Sequence, residues 1–587
     1  MPIATRIKKT ASPIAGPDRW DEWSAHLGSR SAPSPPWKIL PGSRRSPLSW
    51  SRPLAVAGAA LEGGLLNCME TWLRAPTTPF TEVVRHLEPW LRGAAGRVLD
   101  EEFALECLGW SYLLPNLAGE LPAATWRHVL DTLTGLIAGP HDPRPSLQPL
   151  VDQLLGGELP WTLAYQFPEL PRCRALARSA RRRLSGGILQ ELDEQGLPHF
   201  RRLDAVRPLL ACWTRCRSLV GADGATCFTV AAQSRYERFV RQALQLSRQN
   251  GQPVLGPHSA GAHDSEWMDA ALAQTGREED LAIADQLLPW RAASRAASAQ
   301  QVFFPNSSVN SESSQLASLR PTWLRGGEHL VIGHDQGVLC TELNCGSTTV
   351  WSGTWSVEVC VGDRRLRPAA WKDVCWHSDD DVDYLELETN WSGAWRLERQ
   401  ILLAREDRFL WIADAVIGPD VQSLEYRSVL PLAGGVEFRP ERQSREGFLT
   451  NRRRVARVLP LALPEWRTAA GAGSLESVSD GLQLRQQARG RGLYAPLFID
   501  LSPHRLKWPV TWRQLTVAER LEIQSPDVAV GYRVQTGGDQ WLFYRSLSAP
   551  ASRTLLGQNL LHEFLAARFD TEGDVDELLA IDPVETS

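Results

Sequence analysis

The sequence predicts a protein of two parts, an all-α array of paired helices over residues 51–290 and an antiparallel β-sandwich over residues 316–565. Two patterns predict this division, because apolar residues recur every three or four positions in the first part and every second position in the second. The length of 587 residues supports it, since one compact hydrophobic core rarely serves a chain of that size.

Several segments of the first part carry the period of an amphipathic helix. The stretch TWRHVLDTLTGLIAG places five apolar side chains on one face: Trp126, Val129, Leu130, Leu133 and Ile137. FRRLDAVRPLLACWTRCRSLVG and SRYERFVRQALQLSRQNG show the same spacing, and a glycine follows the second as a helix stop. DSEWMDAALAQTGREEDLAIADQLLPW predicts two shorter helices that break at a glycine.

The second part reads as a series of strands. In TWSVEVCV, four apolar residues alternate with mostly polar ones: Trp355, Val357, Val359 and Val361. DYLELET, AWRLERQILLA, RFLWIADAVI, GLQLRQQA, VAVGYRV and WLFYRS follow in the same style, separated by Gly, Asp, Asn and Pro. Strand after strand without intervening helices favours antiparallel sheets stacked as a sandwich.

Three segments are predicted to lie outside these two parts. Residues 1–50 are rich in Pro, Arg and Trp and form an irregular N-terminal extension. Residues 291–315 begin with the low-complexity stretch RAASRAASAQQ and form a linker. Residues 566–587 form an acidic C-terminal tail, in which DTEGDVDELLAIDPVETS predicts a short helix followed by a frayed end.

Charge restricts the function classes. A net charge of −5 and a pI near 6.2 argue against a nucleic-acid binder that works by bulk positive charge. Lysine occurs only five times, so arginine makes up nearly all of the 63 basic residues. Compositional bias explains this, or else a function for guanidinium groups, which pair well with carboxylates and sulfates. The second explanation requires arginines that line one surface, and the sequence does not settle that.

The cysteines and the N-terminus indicate the compartment. None of the ten cysteines forms a CxxC pair, and no histidine stands at zinc-ligand spacing to Cys212 or Cys216. We therefore expect buried free thiols, no metal and a reducing compartment. The N-terminus has no continuous apolar segment, and no run of membrane length occurs. We expect a soluble, cytoplasmic protein without a transmembrane segment, with export by an unrecognised route as the alternative.

Three stretches carry a resemblance to a known family. They are LDEQGLPHFRRLDAVRPLLACWTRC, LSRQNGQPVLGPHSAG and ASLRPTWLRGGEHLVIGHDQGVLCTELNCGSTTVWSG. Their order and spacing resemble the heparinase II/III-like polysaccharide lyases and their alginate-lyase relatives, of which this chain looks like a divergent member. The resemblance covers about residues 55–560. It implies an incomplete (α/α) toroid followed by an antiparallel β-sandwich, and it implies an acidic, uronate-containing polysaccharide as the partner.

The implied reaction is β-elimination, which needs a group that neutralises the sugar carboxylate, a base for the carbon acid and an acid for the leaving oxygen. No metal or organic cofactor is required. The candidate catalytic residues are His199, Tyr236 and His334. The candidate substrate-binding residues are Arg207, His258, His263, Asn306 and Asn310. The spacing of the two histidines in GPHSAGAHD is not diagnostic of a metal site, and a loop at the cleft is the expectation.

Two other functions stay open. Family members that cleave usually carry a Tyr-His pair after the acidic turn, whereas this chain has Ala205, Val206, Arg207 and Pro208 there. The alternative is therefore a non-catalytic glycan-binding or scaffold relative that has lost the base. A third possibility is a glycoside hydrolase on the helical toroid. It would use two carboxylates from this set: Asp193, Glu194, Asp264 and Glu266.

Overall fold

The computed structural model describes ten stretches of the chain. They are residues 17–29, 47–51, 64–74, 81–137, 148–219, 226–256, 266–291, 303–391, 394–570 and 573–583. The chain divides into two compact units. The helical unit comprises residues 1–247 and 251–302, and the β unit comprises residues 248–250 and 303–587.

The described part of the helical unit consists mainly of α-helices. Its helices are α1 Pro17–Ser29, α2 Leu65–Arg74, α3 Thr81–Arg85, α4 Leu87–Ala94, α5 Glu101–Leu117, α6 Ala123–Ile137, α7 Pro149–Gln153, α8 Leu159–Gln166, α9 Pro171–Glu191, α10 Val206–Ser218, α11 Val230–Gln245, α12 Glu266–Thr275 and α13 Glu278–Leu287. A π-helical turn, Leu154–Glu158, joins α7 to α8. Shorter 3₁₀ helices lie at Pro47–Ser51, Phe200–Ala205 and Pro289–Arg291.

Helix α5 lies at the centre of the helical unit. Every side chain from Phe103 to Pro115 is buried, which is the pattern of a helix packed on all sides. Asp100 begins the helix by accepting a hydrogen bond from the backbone N–H of Phe103 at 2.8 Å. On α6 the predicted face is confirmed, because its five apolar residues are buried.

A buried ion pair joins α10 to the π-helical turn. Arg215 donates from Nε and Nη2 to the two carboxylate oxygens of Glu158, at 2.6 and 2.7 Å. Its Nη1 donates to the backbone oxygen of Pro47 at 2.8 Å. Neither charged side chain is exposed. Burial alone would lower the pKa of Arg215, but the adjacent carboxylate of Glu158 outweighs it and raises that pKa.

The β unit consists of antiparallel strands. They are β1 Val309–Ser311, β2 Leu316–Leu319, β3 Glu328–Asp335, β4 Val338–Cys345, β5 Thr348–Thr354, β6 Ser356–Val361, β7 Arg364–Leu366, β8 Lys372–Ser378, β9 Val382–Trp391, β10 Trp395–Ala404, β11 Phe409–Leu430, β12 Glu437–Pro440, β13 Gly447–Asn451, β14 Arg453–Pro460, β15 Gly473–Val478, β16 Gly481–Asp500, β17 Val510–Leu515, β18 Val517–Glu519, β19 Glu522–Ile523, β20 Ala529–Thr536, β21 Asp539–Ser546, β22 Arg553–Leu555, β23 Gln558–Leu560, β24 Phe564–Phe569 and β25 Val575–Ile581.

Four sheets arise from these strands within the described residues. The first has the order β1-β2-β3-β4-β5, and the large second sheet runs β12-β13-β14-β16-β11-β10-β9-β8, with β6, β7 and β15 attached. The third has the order β17-β20-β21-β24-β25, and the small fourth is β19-β18-β22-β23. The long strands β11 and β16 pair along most of their length, with a register shift between Ile417 and Gln422.

The central strands of the second sheet are buried on both faces. Ile401 and Leu403 of β10 point into a core shared with β2 to β5. Leu402, between them, packs into a second core with β20 and β21. A strand covered on both faces has no polar side, which is why AWRLERQILLA loses its alternation at the ILLA end. The first, second and third sheets thus form stacked layers, and the predicted helical array followed by an antiparallel sandwich is confirmed.

The predicted helix near the C-terminus is wrong. Residues 575–581 form β25, which pairs with β24. A register shift between Ala566 and Ala567 brings both Leu578 and Leu579 into buried positions. That shift removes the alternation that would have marked a strand, and the adjacent pair of leucines with its acidic neighbours was read as helix instead.

Two other segments contain regular structure that the sequence analysis did not predict. Helix α1 lies within residues 1–50, which were predicted to be irregular, and buries Trp20, Trp23 and Leu27. Strand β1 lies within residues 291–315, the predicted linker, and pairs with β2. All ten cysteines are free thiols, and five of them, including Cys212 and Cys216, are buried. No helix among the described residues is long and apolar enough to cross a bilayer.

Candidate functional site

The acidic-glycine-histidine turn follows α9 in the helical unit. The Asp193 carboxylate accepts hydrogen bonds from the backbone N–H groups of Gln195, at 2.9 Å, and Leu197, at 2.8 Å. Gly196 has a φ of +82°, and a Cβ there would come within 2.7 Å of the backbone nitrogen of Phe239. Asp193 and Gly196 therefore build the turn itself, and the Asp193 carboxylate already serves two amides.

His199 and Arg207 follow this turn. His199 precedes the 3₁₀ helix Phe200–Ala205, and its Nδ1 accepts a hydrogen bond from the backbone N–H of Arg201 at 3.2 Å. Arg207 lies in the first turn of α10 and is half-buried. The structure thus places His199 as a helix cap, with its Nε2 left to other contacts.

Tyr236 lies in the core of the helical unit. It is fully buried on α11, and its hydroxyl is 2.9 Å from that of Thr214 on α10. Burial raises the pKa of the phenol above its usual range, and the bond to Thr214 offsets only part of that rise. A hydroxyl in this environment packs and hydrogen-bonds, so the burial does not favour the predicted catalytic role.

Replacing Tyr236 with phenylalanine is expected to cost about 1–2 kcal/mol of folding free energy, because the Thr214 hydroxyl is left without its buried partner. Any enzymatic turnover is expected to stay within about twofold of the wild type at a temperature where both proteins are folded. Urea denaturation and a turnover assay on the same preparation measure both quantities. A turnover loss of about a hundredfold or more in a stably folded Tyr236→Phe protein would restore the catalytic role.

A group of carboxylates that the sequence analysis missed lies beside the His199 segment. Burial raises the pKa of Glu101 in the first turn of α5, and the negative charges of Asp204 and Asp100 raise it further. A carboxyl group that holds its proton longer than usual is a candidate acid. No spacing rule could have found it, because Glu101 and Asp204 lie far apart in the sequence.

In the β unit, His334 forms a hydrogen-bonded group with two other side chains. Its Nε2 lies 2.8 Å from Oδ1 of Asp373 on β8. The other oxygen, Oδ2, accepts a hydrogen bond from Nδ2 of Asn310 on β1 at 2.9 Å. The backbone N–H of His334 donates to the oxygen of Gln315, which fixes the end of β3 against the β1–β2 turn. One carboxylate therefore joins two of the predicted site residues, His334 and Asn310.

The tautomer of His334 follows from this arrangement. With Asp373 ionised, Nε2 carries the proton and donates it to the carboxylate, which leaves a lone pair on Nδ1. Nδ1 is buried and has no hydrogen-bond partner among the described residues. An imidazole held by a carboxylate on one nitrogen and unpaired on the other can accept a proton there, and the carboxylate then stabilises the imidazolium.

Asn306 belongs to a second polar group at the other end of β8. Its Nδ2 donates to the hydroxyl of Ser378 at 3.2 Å, and its Oδ1 accepts from Nη2 of Arg405 at 3.3 Å. Arg405 is paired with the buried carboxylate of Asp383 at 2.6 Å. Asn310 and Asn306 thus contact opposite ends of β8, and Asn306 is exposed.

The first sheet also carries buried polar residues. Arg248 binds Glu342 through two hydrogen bonds of 2.7 Å, and both side chains are almost completely buried. Beside them, Nδ1 of His329 accepts from Nη2 of Arg320 at 2.8 Å, and its Nε2 lies 2.9 Å from the Ser318 hydroxyl. Burial and the two arginine charges lower the pKa of His329 well below its usual value, so this histidine is neutral. Burial also lowers the pKa of Arg320 to about 9.

His329 is expected to make the protein less stable in acid. Its pKa is far lower in the folded protein than the value of about 6.5 in the unfolded chain. Below pH 6.5 this histidine is therefore protonated in the unfolded state but stays neutral in the folded state. The free energy of unfolding is therefore expected to be lower by about 1.4 kcal/mol at pH 5.5 than at neutral pH. His329→Gln is expected to remove that part of the pH dependence, measured as urea midpoints at pH 7.5 and 5.5. If the urea midpoint falls by the same amount between pH 7.5 and 5.5 in both proteins, this assignment is contradicted.

Among the described residues, one group has the composition of a metal site: Glu158, Cys212 and Cys216, whose ligand atoms lie within 4.8 Å of one another. Both oxygens of Glu158 are bound to Arg215, and burial raises the pKa of both thiols. Protonated thiols and an occupied carboxylate do not suit a metal ion. His258 and His263, predicted to bind substrate, lie outside the described residues, and so does Asp264.

Comparisons with known proteins found similar folds among solved structures. A scan against protein-family models found no match, and a search of curated proteins found none. Among solved structures, a heparinase III gene product matches with a TM-score of 0.60 and 9% identity, over 90% of this chain and 95% of that one. The heparan sulfate lyase of Pedobacter heparinus matches with a TM-score of 0.54 and 12% identity, over 92% and 91%. This chain has the heparinase III fold.

The heparinase III fold accounts for the order of the two units. A further structure, described as heparinase III, matches with a TM-score of 0.56 and 9% identity over 82% of each chain. The resemblance inferred from three short stretches is thereby confirmed for the fold, an incomplete helical toroid followed by a β-sandwich. At such low identity the likeness concerns the fold, so the activity of this chain has to be argued from its own residues.

Proposed function

We propose that this protein is a polysaccharide lyase that cleaves an acidic, uronate-containing glycan by β-elimination. The observation that carries the proposal is the hydrogen-bonded group of His334, Asp373 and Asn310 in the β unit. It combines a histidine held in one tautomer with an amide donor on the same carboxylate, which are two of the functions that the reaction needs.

The proposed chemistry uses Nδ1 of His334, which has no hydrogen-bond partner among the described residues. This nitrogen is buried, so the proposal requires that it become accessible when the polymer binds. Nδ1 takes the proton from the carbon next to the sugar carboxylate, a carbon–carbon double bond forms, and the bond to the glycosidic oxygen breaks. Asp373 stabilises the imidazolium, as a carboxylate behind a catalytic histidine does. We further propose that the side-chain amide of Asn310 contacts the sugar carboxylate. The leaving oxygen receives a proton from a second acid.

The comparisons support the class of substrate. The relatives that share the fold include a protein described as a heparan sulfate lyase, whose named substrate is an acidic polysaccharide. A fold can host unrelated chemistries, so this support is an analogy that adds to the residues of the site.

A second candidate function is glycan binding without cleavage. It is favoured by the burial of Tyr236 and by the absence of a Tyr-His pair from the neighbourhood where cleaving relatives usually carry one, which here is Ala205, Val206, Arg207 and Pro208. In this case His334 and Asp373 are structural, and the protein holds an acidic glycan without breaking it.

One experiment separates the two candidates. The purified full-length protein is incubated with heparan sulfate, chondroitin sulfate, hyaluronan and alginate, and the ultraviolet absorbance of unsaturated sugar ends is followed. A lyase gives a steady rise on at least one polymer. Binding measured by calorimetry without any rise in absorbance would favour the non-catalytic candidate. Neither binding nor cleavage on any polymer would contradict both.

A further inference from the structure

Helix α9 is unusually rich in arginine. Its 21 residues include six arginines between positions 172 and 183, and its single acidic residue is the last, Glu191. The helix contains no aromatic residue. The composition of the whole chain left open whether its arginines line any surface, and α9 answers that for one helix.

The arginines occupy the outer side of α9. The buried side chains include Cys173, Ala180, Leu184 and Ile188, which share one face at helical spacing. Arg178 and Arg182 lie four residues apart, opposite that face, and both are exposed. The remaining arginines flank this pair on both sides.

Carboxylates neutralise only part of this charge. On one flank, Arg172 and Arg183 pair with Asp131 and Asp152. On the other flank, Arg174 and Arg181 are exposed and donate to backbone oxygens, those of Pro168 at 3.2 Å and Phe228 at 3.1 Å. A carbonyl group accepts the hydrogen bond without cancelling the charge.

The two central arginines have no partner of either kind. Among the residues that the structure describes, neither Arg178 nor Arg182 makes a hydrogen bond or an ion pair. With Arg174 and Arg181 they form a stripe of four positive charges on one exposed face, and we call these four residues the α9 stripe.

The α9 stripe works against the stability of its own helix. Arg174, Arg178 and Arg182 follow one another at a spacing of four residues, and like charges at this spacing repel each other. Among the described residues, Arg174, Arg178 and Arg182 form no ion pair that compensates for this repulsion. Such an arrangement is typical of a surface whose counter-charges come from a ligand.

The neighbouring helix extends the positive surface beyond the end of α9. Arg235 of α11 donates to the backbone oxygens of Leu189 and Leu192, each at 3.0 Å. Arg238 of the same helix is exposed and donates to the backbone oxygen of Glu194. These two guanidinium groups also meet carbonyl oxygens instead of carboxylates in these contacts.

We propose that the α9 stripe is a binding surface for a linear anionic polysaccharide, and that it holds the polymer through its carboxylate or sulfate groups. This inference rests on the proposed function and adds to it a second contact for the substrate, in the helical unit. Guanidinium forks match both anionic groups. The absence of an aromatic residue on α9 disfavours single-stranded nucleic acid, which needs stacking platforms. The apolar face of the helix is buried in the protein, so it is not available to insert into a lipid surface.

The test uses the full-length protein with heparan sulfate and alginate as the polyanions, dextran as the neutral polymer and a DNA duplex as the competing polyanion. The variant Arg178→Ala/Arg182→Ala is compared with Arg367→Ala/Arg439→Ala, which removes two exposed arginines that lie beside glutamates. The expected result is an affinity for heparan sulfate about tenfold lower in the α9 variant and unchanged in the control. The slope of log K against log salt concentration is expected to fall by about one to two units.

Two results would overturn the inference. One is equal affinity of the wild type and the α9 variant for both glycans. The other is tighter binding of the DNA duplex than of either glycan, with the loss in the α9 variant confined to DNA. Cleavage assays keep the two proposals apart: if no glycan is cleaved but the α9 variant still loses its affinity, the lyase proposal fails and the α9 stripe stands. Circular dichroism checks that each variant is folded.

Discussion

Replacing Arg215 with methionine is expected to lower the free energy of unfolding by about 3–5 kcal/mol. The substitution leaves the Glu158 carboxylate without a counter-charge in a site where neither side chain is exposed. It also removes the donor to the backbone oxygen of Pro47, which ties the segment Pro47–Ser51 to α10. The measurement is the urea midpoint, followed by circular dichroism at a wavelength dominated by helix.

The double variant Arg215→Met/Glu158→Leu tests the cause. If the loss comes from an uncompensated buried charge, removing that charge as well is expected to restore most of the stability, because apolar side chains of similar size replace buried ion pairs well. The matched control is Arg439→Met, whose exposed pair with Glu437 contributes no more than about 1 kcal/mol. If Arg215→Met alone is as stable as the wild type, the Arg215–Glu158 pair does not contribute to the free energy of unfolding in this way.

His334→Ala is expected to lower kcat by a factor of about 10² to 10⁴ on whichever glycan the wild type cleaves. The variant lacks the group that accepts the proton, while the Asp373 carboxylate and Asn310 remain to hold that part of the β unit together. The rate of formation of unsaturated ends measures this effect. A fall of less than about threefold would exclude His334 from the chemistry.

Two companion variants sharpen this test. Asp373→Asn keeps the size of the side chain but removes the charge that fixes the histidine tautomer, so kcat is expected to fall by about a hundredfold with little change in KM. His377→Ala is the control, because His377 and Asp379 form a similar pair with a distance of 2.8 Å on an exposed part of the same sheet. An equal loss in the control would point to a general effect on β8.

Sequence patterns predicted several elements whose burial is one-sided, although helix α1, which also buries one face, was missed. The face of α6 and the alternation of β6 both follow from one apolar surface turned toward a core, and such a surface repeats with the period of its element. The β10 segment and β25 lack a clear alternation of apolar and polar residues, for different reasons. One is covered on both faces, and the other contains a register shift that buries two consecutive leucines.

The candidate site divides in the same way. His334 and Asn310 were predicted from the resemblance and from their polar character, and both contact one carboxylate. Asp373 was missed because it sits in WKDVCW, where nothing in the local pattern distinguishes it from a surface acid. Tyr236 was chosen for its chemistry, yet its position on α11 turns it into the core. The sequence period of an amphipathic helix shows which face a side chain lies on. It does not show which neighbouring residue forms a hydrogen bond with that side chain.

By itself the sequence determined the order of the two parts, some of their helices and strands, and the excess of arginine over lysine, because these depend on composition and on short-range periodicity. The tertiary structure decided which charges meet. Asp373 contacts His334, Glu158 neutralises Arg215, and no carboxylate in the described part of the chain pairs with the α9 stripe. Each outcome depends on residues that chain folding brings together from distant positions.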